Sequence, residues 1–447
     1  MMENRTHDSL GNIEKGVVHK EKSFFADLID KVFKGDKIIW LTFVILCVIS
    51  MVEIFSATST LVYQGQNHWG PIMRHAMFLI AGFGLIIFLH NVSIRFYSSL
   101  IFLLFISIIL LLLTPFIGVT INGADRWIRM FGFTIQPSEF AKLSLMGTIA
   151  FMLSRQTEKN EKAMFKWMIL LTAIVTLIIA VDNLSTAVLL FFVVFLMMFI
   201  GNVKIRRLLS VVGVGVLSVT LLIGVAKVLP DKAVDKVTLL KRSDTWGSRF
   251  VEFFDSKEKT EQDKYIINDK NYQSSYAKIA IANGGVFGKF PGNSITRDFL
   301  PQAYSDFIYA IILEEMGLIG GIFVMLLYVI ILIRSGIIAG RTKSLFARYL
   351  VMGAALMLSI QAFMNMAVAV GAMPVTGQPL PLISRGGTST LVTCAYFGII
   401  LSADRFGVGA NKVELKEEDE NGEMVDNNEK VAEEEIEKKV EFTVIKV

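Results

Sequence analysis

The sequence contains few residues of the types that staple small secreted domains or build metal centres. Of its 447 residues, two are Cys and five are His. Cys47 and Cys394 each lie inside an apolar run, which argues against a disulfide framework. The His residues are scattered, so the sequence has no His and Cys cluster with metal-ligand spacing. Internal repeats of the solenoid type are also absent.

Charged residues are scarce as well, at 19% of the chain, while hydrophobic residues make up 53%. The mean hydropathy is +0.56, a value that soluble domains rarely reach. The N-terminus lacks a short hydrophobic segment followed by a small-residue cleavage site, so we expect the first apolar run to remain as a membrane anchor. The composition therefore predicts an all-α polytopic membrane protein.

Apolar runs long enough to cross a bilayer, which needs about 20 residues, recur along the chain. We predict about ten spans, with a large extracytoplasmic loop at 230–303 between spans seven and eight. The candidate spans are 38–57, 72–90, 97–118, 138–154, 167–181, 184–201, 208–229, 304–333, 346–373 and 387–404.

Basic residues concentrate in alternate loops, after the second, fourth, sixth and eighth spans. This asymmetry places both termini in the cytoplasm and 119–137, 230–303 and 374–386 outside. We divide the chain into a basic cytoplasmic segment 1–37, a membrane domain 38–405, and an acidic cytoplasmic tail 406–447 that is expected to be disordered. The basic loop residues are Arg95, Arg155, Lys159, Lys162, Lys166, Lys204, Arg206, Arg207, Arg334, Arg341 and Lys343.

Asp306 lies where the eighth span begins, after a polar stretch that starts at 273. One interpretation is structural, because an Asp side chain can cap the first backbone N–H groups of a helix. The other is catalytic, because a carboxylate at the membrane boundary is suited to act as a general base. Glu53, Glu314 and Glu315 are further acids within apolar runs, where they usually face a cavity or a partner.

Residues 122–143, NGADRWIRMFGFTIQPSEFAKL, contain a second group of charges. Pro137 starts a helix on which Glu139 and Lys142, three residues apart, share one face. An ion pair within the helix would explain both residues. Together with Arg126, Lys142 would instead form a cationic cluster suited to a diphosphate.

The run 283–294, NGGVFGKFPGNS, has closely spaced glycines and includes Lys289 and Asn293. Such a run can admit phosphate to the backbone, but it does not match the P-loop or dinucleotide patterns, so an ordinary flexible loop is favoured. Asp182 and Asn183 predict a tight turn between two spans. The loop 374–386 is rich in Pro and Gly and can dip toward the bilayer if protein shields it.

In order along the chain, these motifs resemble those of the SEDS family of bacterial cell-wall polymerases. The resemblance rests on GADRW at 123–127, QPSEFAK at 136–142, a partial match of VDNLSTA at 181–187, most of 273–320, and LPLISRGGTS at 380–389. The resemblance covers the whole predicted membrane domain. LPLIS and the preceding MPVTG are more similar to the division branch, FtsW, than to the elongation branch, RodA.

The resemblance implies an inverting peptidoglycan glycosyltransferase that polymerises lipid II at the outer face of the inner membrane during septal cell-wall synthesis. It implies Asp306 as the catalytic residue and a class B penicillin-binding protein and other division proteins as partners. A divalent cation, Mg²⁺ or Mn²⁺, is an expected cofactor, and no nucleic acid is expected. The resemblance implies Arg126 and Lys142 as the family's Arg and Lys. We predict that they bind the diphosphate or sugar together with further candidates, which are Gln136, Glu139, Lys289, Asn293, Ser384 and Arg385.

Four positions depart from the family pattern. Gln302 replaces the usual Glu, Tyr304 replaces His, Ser185 replaces Gly and Arg385 replaces Tyr. None of them removes Asp306, and Arg385 could add a phosphate contact. Three other functions stay open: a flippase for lipid-linked sugar, the elongation polymerase of the same family, and a scaffold for the division machinery.

Overall fold

A computed structural model describes residues 33–58, 69–121, 124–130, 133–228, 267, 271–300 and 304–413. The basic segment 1–37 lies almost entirely outside these residues, as do most of the acidic tail from 406 and more than half of the loop 230–303. Gln302, a departure from the family pattern, also lies outside them. The predictions made for these stretches remain predictions.

Eleven helices are described, and ten of them coincide with the ten predicted spans. The additional one, α8, lies in the predicted loop between spans seven and eight. The helices are α1 Lys37–Ala57, α2 Trp69–His90, α3 Leu100–Ile117 after a 3-10 turn Ile94–Ser99, α4 Pro137–Ser154, α5 Glu161–Asp182, α6 Leu184–Ile200, α7 Ile205–Val228, α8 Tyr272–Gly284, α9 Ile308–Arg341, α10 Leu345–Ala369 and α11 Thr388–Val413.

Six of these elements are long and apolar enough to cross a membrane: α1, α2, α3 with its 3-10 turn, α5, α9 and α10. Helix α6 is apolar but has 17 residues. Large apolar side chains such as Phe102 and Phe116 are exposed on the outer helices, as expected for surfaces that face lipid. The chain is a polytopic α-helical membrane protein, and the count of ten crossings remains a prediction.

Capping residues in the sequence fix several helix ends. Asp36 accepts hydrogen bonds from the backbone N–H groups of Ile38 and Ile39 at 2.9 and 3.1 Å, and so starts α1. Asn183 does the same for α6 by accepting from Thr186 N at 3.2 Å. Because Asp182 ends α5 and α6 begins at Leu184, the predicted tight turn at this point is confirmed.

Helices α4 and α10 form the centre of the bundle, where α10 packs on α4, α6, α9 and α11. Gly353 of α10 lies against the side chains of Met146 and Met197, and a Cβ at this position would come within 2.6 Å of Met146 Cγ. A small residue is therefore needed for the three helices to approach this closely. Most side chains of α4 and α10 are buried among other helices.

A small antiparallel sheet occupies the loop between α3 and α4, where no strand was predicted. It is formed by β1 Val119–Ile121, β2 Ala124–Met130 and β3 Phe133–Ile135. Register partners include Val119 with Trp127 and Ile128 with Ile135. Strands of three residues leave too short a pattern for sequence reading, because they depend on their neighbours for pairing.

Candidate functional site

Asp306 lies in a turn formed by residues 304–307, immediately before α9. Its side chain is half-buried, and Ser305 Oγ donates a hydrogen bond to Asp306 Oδ1 at 2.9 Å. The N-cap position of α9 is Phe307, so the interpretation of Asp306 as the helix cap is wrong. The turn instead presents the carboxylate at the end of the bundle rather than using it to start the helix.

The loop 377–385 is bonded to this turn through its backbone. Ser384 Oγ donates to the carbonyl oxygen of Ser305 at 2.6 Å, and Arg385 N donates to that of Tyr304 at 2.9 Å. Gly377 has a φ of +65°, and a Cβ there would be 3.3 Å from Asp306 Oδ2. Glycine at this position therefore allows the loop backbone to approach the carboxylate closely.

Amide side chains hold the turn and the loop together from below. Asn365 Nδ2 of α10 donates to the carbonyl oxygens of Asp306 at 2.8 Å and Gln378 at 2.7 Å. Gln378 Nε2 donates to Thr186 Oγ1 on α6 at 2.8 Å, and Gln361 Nε2 donates to Pro379 O at 3.0 Å. Sequence reasoning missed these amides. A usable signal was the spacing of Gln361 and Asn365, one helical turn apart in an apolar span.

Lys142 is buried at 1% exposure and forms an ion pair with Glu139, Nζ to Oε1, at 2.7 Å. Its Nζ also donates to Gln361 Oε1 at 3.2 Å. The intrahelical pair considered from the sequence is thus present, and it contacts the amide that supports the loop at Pro379. The ammonium is enclosed, and Gln361 joins it to the loop 377–385.

Gln136 joins the start of α4 to the start of α11, because its backbone N–H donates to Thr388 Oγ1 at 3.2 Å. Its side chain donates to Ser138 Oγ at 3.1 Å. Arg126 lies half-buried on β2, and β2 contacts α4. The role of both residues in binding substrate remains a prediction.

The glycine run packs against a kink in α9. Gly317 in that helix has φ +68°, and a Cβ on Gly288 would overlap with the backbone of Glu315 and Gly317. Lys289 N and Phe290 N donate to the carbonyl oxygens of Glu314 and Glu315 at 3.0 and 2.7 Å. The expectation of an ordinary flexible loop is wrong, because these glycines allow one backbone to bind another.

Lys289 and Asn293, which were predicted as substrate ligands, lie in this packed segment. Lys289 Nζ is 3.9 Å from Glu314 Oε1, and Asn293 Nδ2 donates to Lys289 O at 2.9 Å. Glu314 accepts further hydrogen bonds from Ser294 Oγ and from Thr296 Oγ1, the latter at 2.9 Å. The segment is therefore bound to Glu314. The contacts described for Lys289 and Asn293 lie within this segment and to Glu314, and the predicted role of both residues as substrate ligands remains a prediction.

Glu315 and Glu53 are the remaining buried acids near the start of α9. Glu315 accepts a hydrogen bond from Ser56 Oγ of α1, and Arg297 Nη1 is 3.6 Å from Glu315 Oε1. Arg297 Nη1 also donates to Ser56 Oγ at 2.7 Å. The carboxyl oxygens of Glu53 are buried and have no hydrogen-bond partner among the described residues.

Arg385 places a cation at the Asp306 turn. Its guanidinium carbon lies 5.0 Å from the centroid of the Tyr304 ring, the distance of a cation–π contact. Burial lowers the pKa of Arg385, the Tyr304 phenol opposes this shift, and the nearby charge of Arg74 adds to it. An arginine nevertheless stays protonated at neutral pH, so the charge is retained.

Comparisons with known proteins agree on one family. A family model described as cell cycle protein, covering FtsW, RodA and SpoVE, matches residues 36–408. Two relatives bear the name probable peptidoglycan glycosyltransferase FtsW. The protein from Saccharophagus degradans is 32% identical over 79% of this chain and 88% of its own length. The protein from Geobacter sp. (strain M18) is 29% identical over 82% and 96%.

Solved structures share the fold of this chain. A chain in a structure described as "Structural coordination of polymerization and crosslinking by a peptidoglycan synthase complex" matches with a TM-score of 0.65 and 25% identity, over 83% of this chain and 98% of its own. The rod shape determining protein RodA of Thermus thermophilus matches with a TM-score of 0.58 and 24% identity, over 84% and 99%. The likeness to RodA supports the polytopic fold alone.

Proposed function

This chain belongs to the FtsW, RodA and SpoVE family of cell cycle proteins and is a peptidoglycan glycosyltransferase of cell wall synthesis; on that premise, we propose that it polymerises lipid II with Asp306 as general base. The observation that carries the proposal is the setting of Asp306. Its half-buried carboxylate is placed by a turn that is hydrogen-bonded to the loop 377–385 and to Asn365. A carboxylate that the fold already holds in place can position a reacting group without a further loss of conformational entropy.

The reaction is a single displacement at an anomeric carbon. Asp306 takes the proton from the 4-hydroxyl of the acceptor N-acetylglucosamine as that oxygen attacks C1 of the N-acetylmuramic acid at the reducing end of the growing chain. The O4–C1 bond forms while the bond from C1 to the diphosphate oxygen breaks, and the electron pair leaves with undecaprenyl diphosphate. A positioned base contributes roughly 10²–10⁴-fold to such a step.

Negative charge grows on the diphosphate as it leaves, so cations at the site stabilise the transition state. Arg126 on β2 is our candidate for a direct contact. Lys142 and Glu139 support the loop at Pro379 through Gln361, and Ser384 fixes the turn that carries Asp306. Gln136 aligns α4 with α11.

A divalent cation is a separate proposal. The described residues contain no group of three or more His, Cys, Asp or Glu that could hold a metal ion. An ion such as Mg²⁺ or Mn²⁺ would therefore be held mainly by the substrate's phosphates with one or two side chains, which is its usual mode. Asp306, whose carboxylate lies beside Gly377, would be one such side chain, and no step above depends on the ion.

We place the protein in the bacterial inner membrane with both termini cytoplasmic, active at its outer face and at the division septum. The similarity to a chain of a peptidoglycan synthase complex supports a class B penicillin-binding protein as transpeptidase partner. Other division proteins would recruit the pair. A fluorescent fusion found along the lateral wall instead of at the septum would favour the elongation role.

The decisive experiment is lipid II polymerisation by the purified protein with its transpeptidase partner, comparing wild type with Asp306→Asn. We expect glycan ladders from the wild type only, at equal melting temperatures. Asp298→Asn is the matched control, because Asp298 is an exposed acid of the same segment that pairs with Arg297 at 3.5 Å. Ladders of normal length from Asp306→Asn would refute the assignment of the base.

A second candidate function, movement of lipid-linked sugar across the bilayer, is favoured by one observation. Glu53 is fully buried on α1 and has no described hydrogen-bond partner, and acids of this kind often line a transport path. Translocation of lipid II across liposomes by Asp306→Asn, without new glycosidic bonds, would support it. Rescue of growth by Asp306→Ala would instead favour a scaffold.

A further inference from the structure

Arg385 and Tyr304 are neighbours in space although 81 positions separate them, and both depart from the family pattern. Arg385 N donates to Tyr304 O at 2.9 Å, while its guanidinium lies 5.0 Å from the Tyr304 ring centroid. The backbone of Arg385 is therefore fixed by a hydrogen bond, and its side chain by the contact with the ring. A stacked guanidinium keeps its N–H edge available to a ligand, because stacking uses only its face.

Arg74 brings a second positive charge to the same place. The adjacent His75 accepts or donates a hydrogen bond with Ser50 Oγ at 2.7 Å, and Ser50 Oγ also donates to Leu382 O at 2.9 Å. The start of α2 is thus bound to the loop that carries Arg385. The charge of Arg74 contributes to lowering the pKa of Arg385.

Neither Arg74 nor Arg385 forms an ion pair with an Asp or Glu among the described residues. Two like charges held together without a counter-ion repel each other and raise the electrostatic free energy. A bound anion would lower it. Lys142 differs in this respect, because Glu139 already neutralises it inside the bundle. The uncompensated positive charge of the site therefore lies on the loop beside Asp306.

We propose that Arg385, stacked on Tyr304 and assisted by Arg74, binds the diphosphate of the lipid-linked substrate beside Asp306. The proposal deepens the proposed function and rests on it for the identity of the substrate. Arginine suits this role because its planar N–H groups match phosphate oxygens in pairs. The loop that fixes Asp306 would thereby also fix the leaving group.

The test measures binding of undecaprenyl diphosphate to the full-length protein in nanodiscs of phosphatidylcholine. We expect Arg385→Ala to weaken binding about tenfold or more, the value of one hydrogen bond to a charged group. Arg385→Lys keeps the charge without the paired N–H edge, so it should recover part of the loss. Arg206→Ala, which removes an exposed arginine at the start of α7, should bind like the wild type.

Undecaprenyl monophosphate is the companion ligand, because a structural defect would weaken both ligands equally. We expect the loss in Arg385→Ala to be larger for the diphosphate. Tyr304→Phe should bind normally since the ring remains, whereas Tyr304→Ala should lose a few-fold. Unchanged diphosphate affinity in both Arg385→Ala and Arg385→Lys would overturn the proposal, as would equal losses for the two ligands.

Head-group phosphates of bulk lipids are the other phosphate ligands that Arg385 could bind. Repeating the titration in discs that contain phosphatidylglycerol separates the two, and the difference between wild type and Arg385→Ala should persist. Its disappearance would mean that Arg385 binds ordinary anionic lipid and would overturn the proposal. Because binding is measured without turnover, a wild-type protein that binds the diphosphate but makes no glycan would refute the proposed function and leave this inference standing.

Discussion

Two acidic residues near the beginning of α9 differ in the contacts of their carboxylates. Asp306 lies in the turn before the helix, and Glu314 lies within the helix. Asp306 is half-buried, accepts a hydrogen bond from the neighbouring Ser305, and lies in a turn whose backbone is bound by the loop 377–385. Glu314 is fully buried and accepts hydrogen bonds from Ser294 and Thr296. The comparison separates a carboxylate whose turn is fixed through its backbone from a carboxylate whose own oxygens hold a neighbouring segment.

The largest effect is expected for Gly288→Ala, which tests how the glycine run 283–294 packs against α9 near Glu314. The new Cβ would overlap with the Glu315 carbonyl oxygen, and Gly288 has φ +79°, so we expect a loss on the order of 3 kcal/mol in unfolding free energy. Gly285→Ala is the matched control, because Gly285 also has a positive φ but open space around it. Thermal unfolding in detergent would measure both, and equal losses would contradict the packing role.

A smaller effect separates the two carboxylates directly. Glu314→Gln should cost about 2 kcal/mol, because an amide N–H₂ would face hydroxyl and backbone donors that now bind an oxygen. Asp306→Asn should leave the melting temperature unchanged and remove activity. If Glu314→Gln were as stable as the wild type while losing polymerisation, Glu314 would belong to the catalytic site and the comparison would fail.

The smallest effect tests how the turn is held. Asn365→Ala removes the donor to Asp306 O and Gln378 O, and we expect about 1 kcal/mol of stability and about tenfold of kcat to be lost, with KM nearly unchanged. Ser359→Ala is a control on the same helix, since its hydroxyl bonds Tyr328 O away from the turn. A similar loss of kcat in Ser359→Ala would indicate a general effect of α10.

Much of the architecture followed from hydropathy, and much of the site did not. The ten predicted spans each fall on a helix, because an apolar run in lipid must satisfy its own backbone hydrogen bonds. Asp306 could be singled out because a carboxylate at the start of a span is rare. The contact of Lys142 with Gln361 could not be predicted, since 219 positions separate the two residues in the sequence.

The sequence by itself determined the class of the protein, the helices and the family motifs, because these depend on local composition and order. Only the tertiary structure decided which distant residues several of the motif residues contact. It placed Lys289 against Glu314, joined Arg385 to Tyr304, and put Asn365 beneath Asp306. These assignments depend on which distant segments meet, and hydrogen bonds and close packing between them are set by the folded bundle rather than by neighbouring residues.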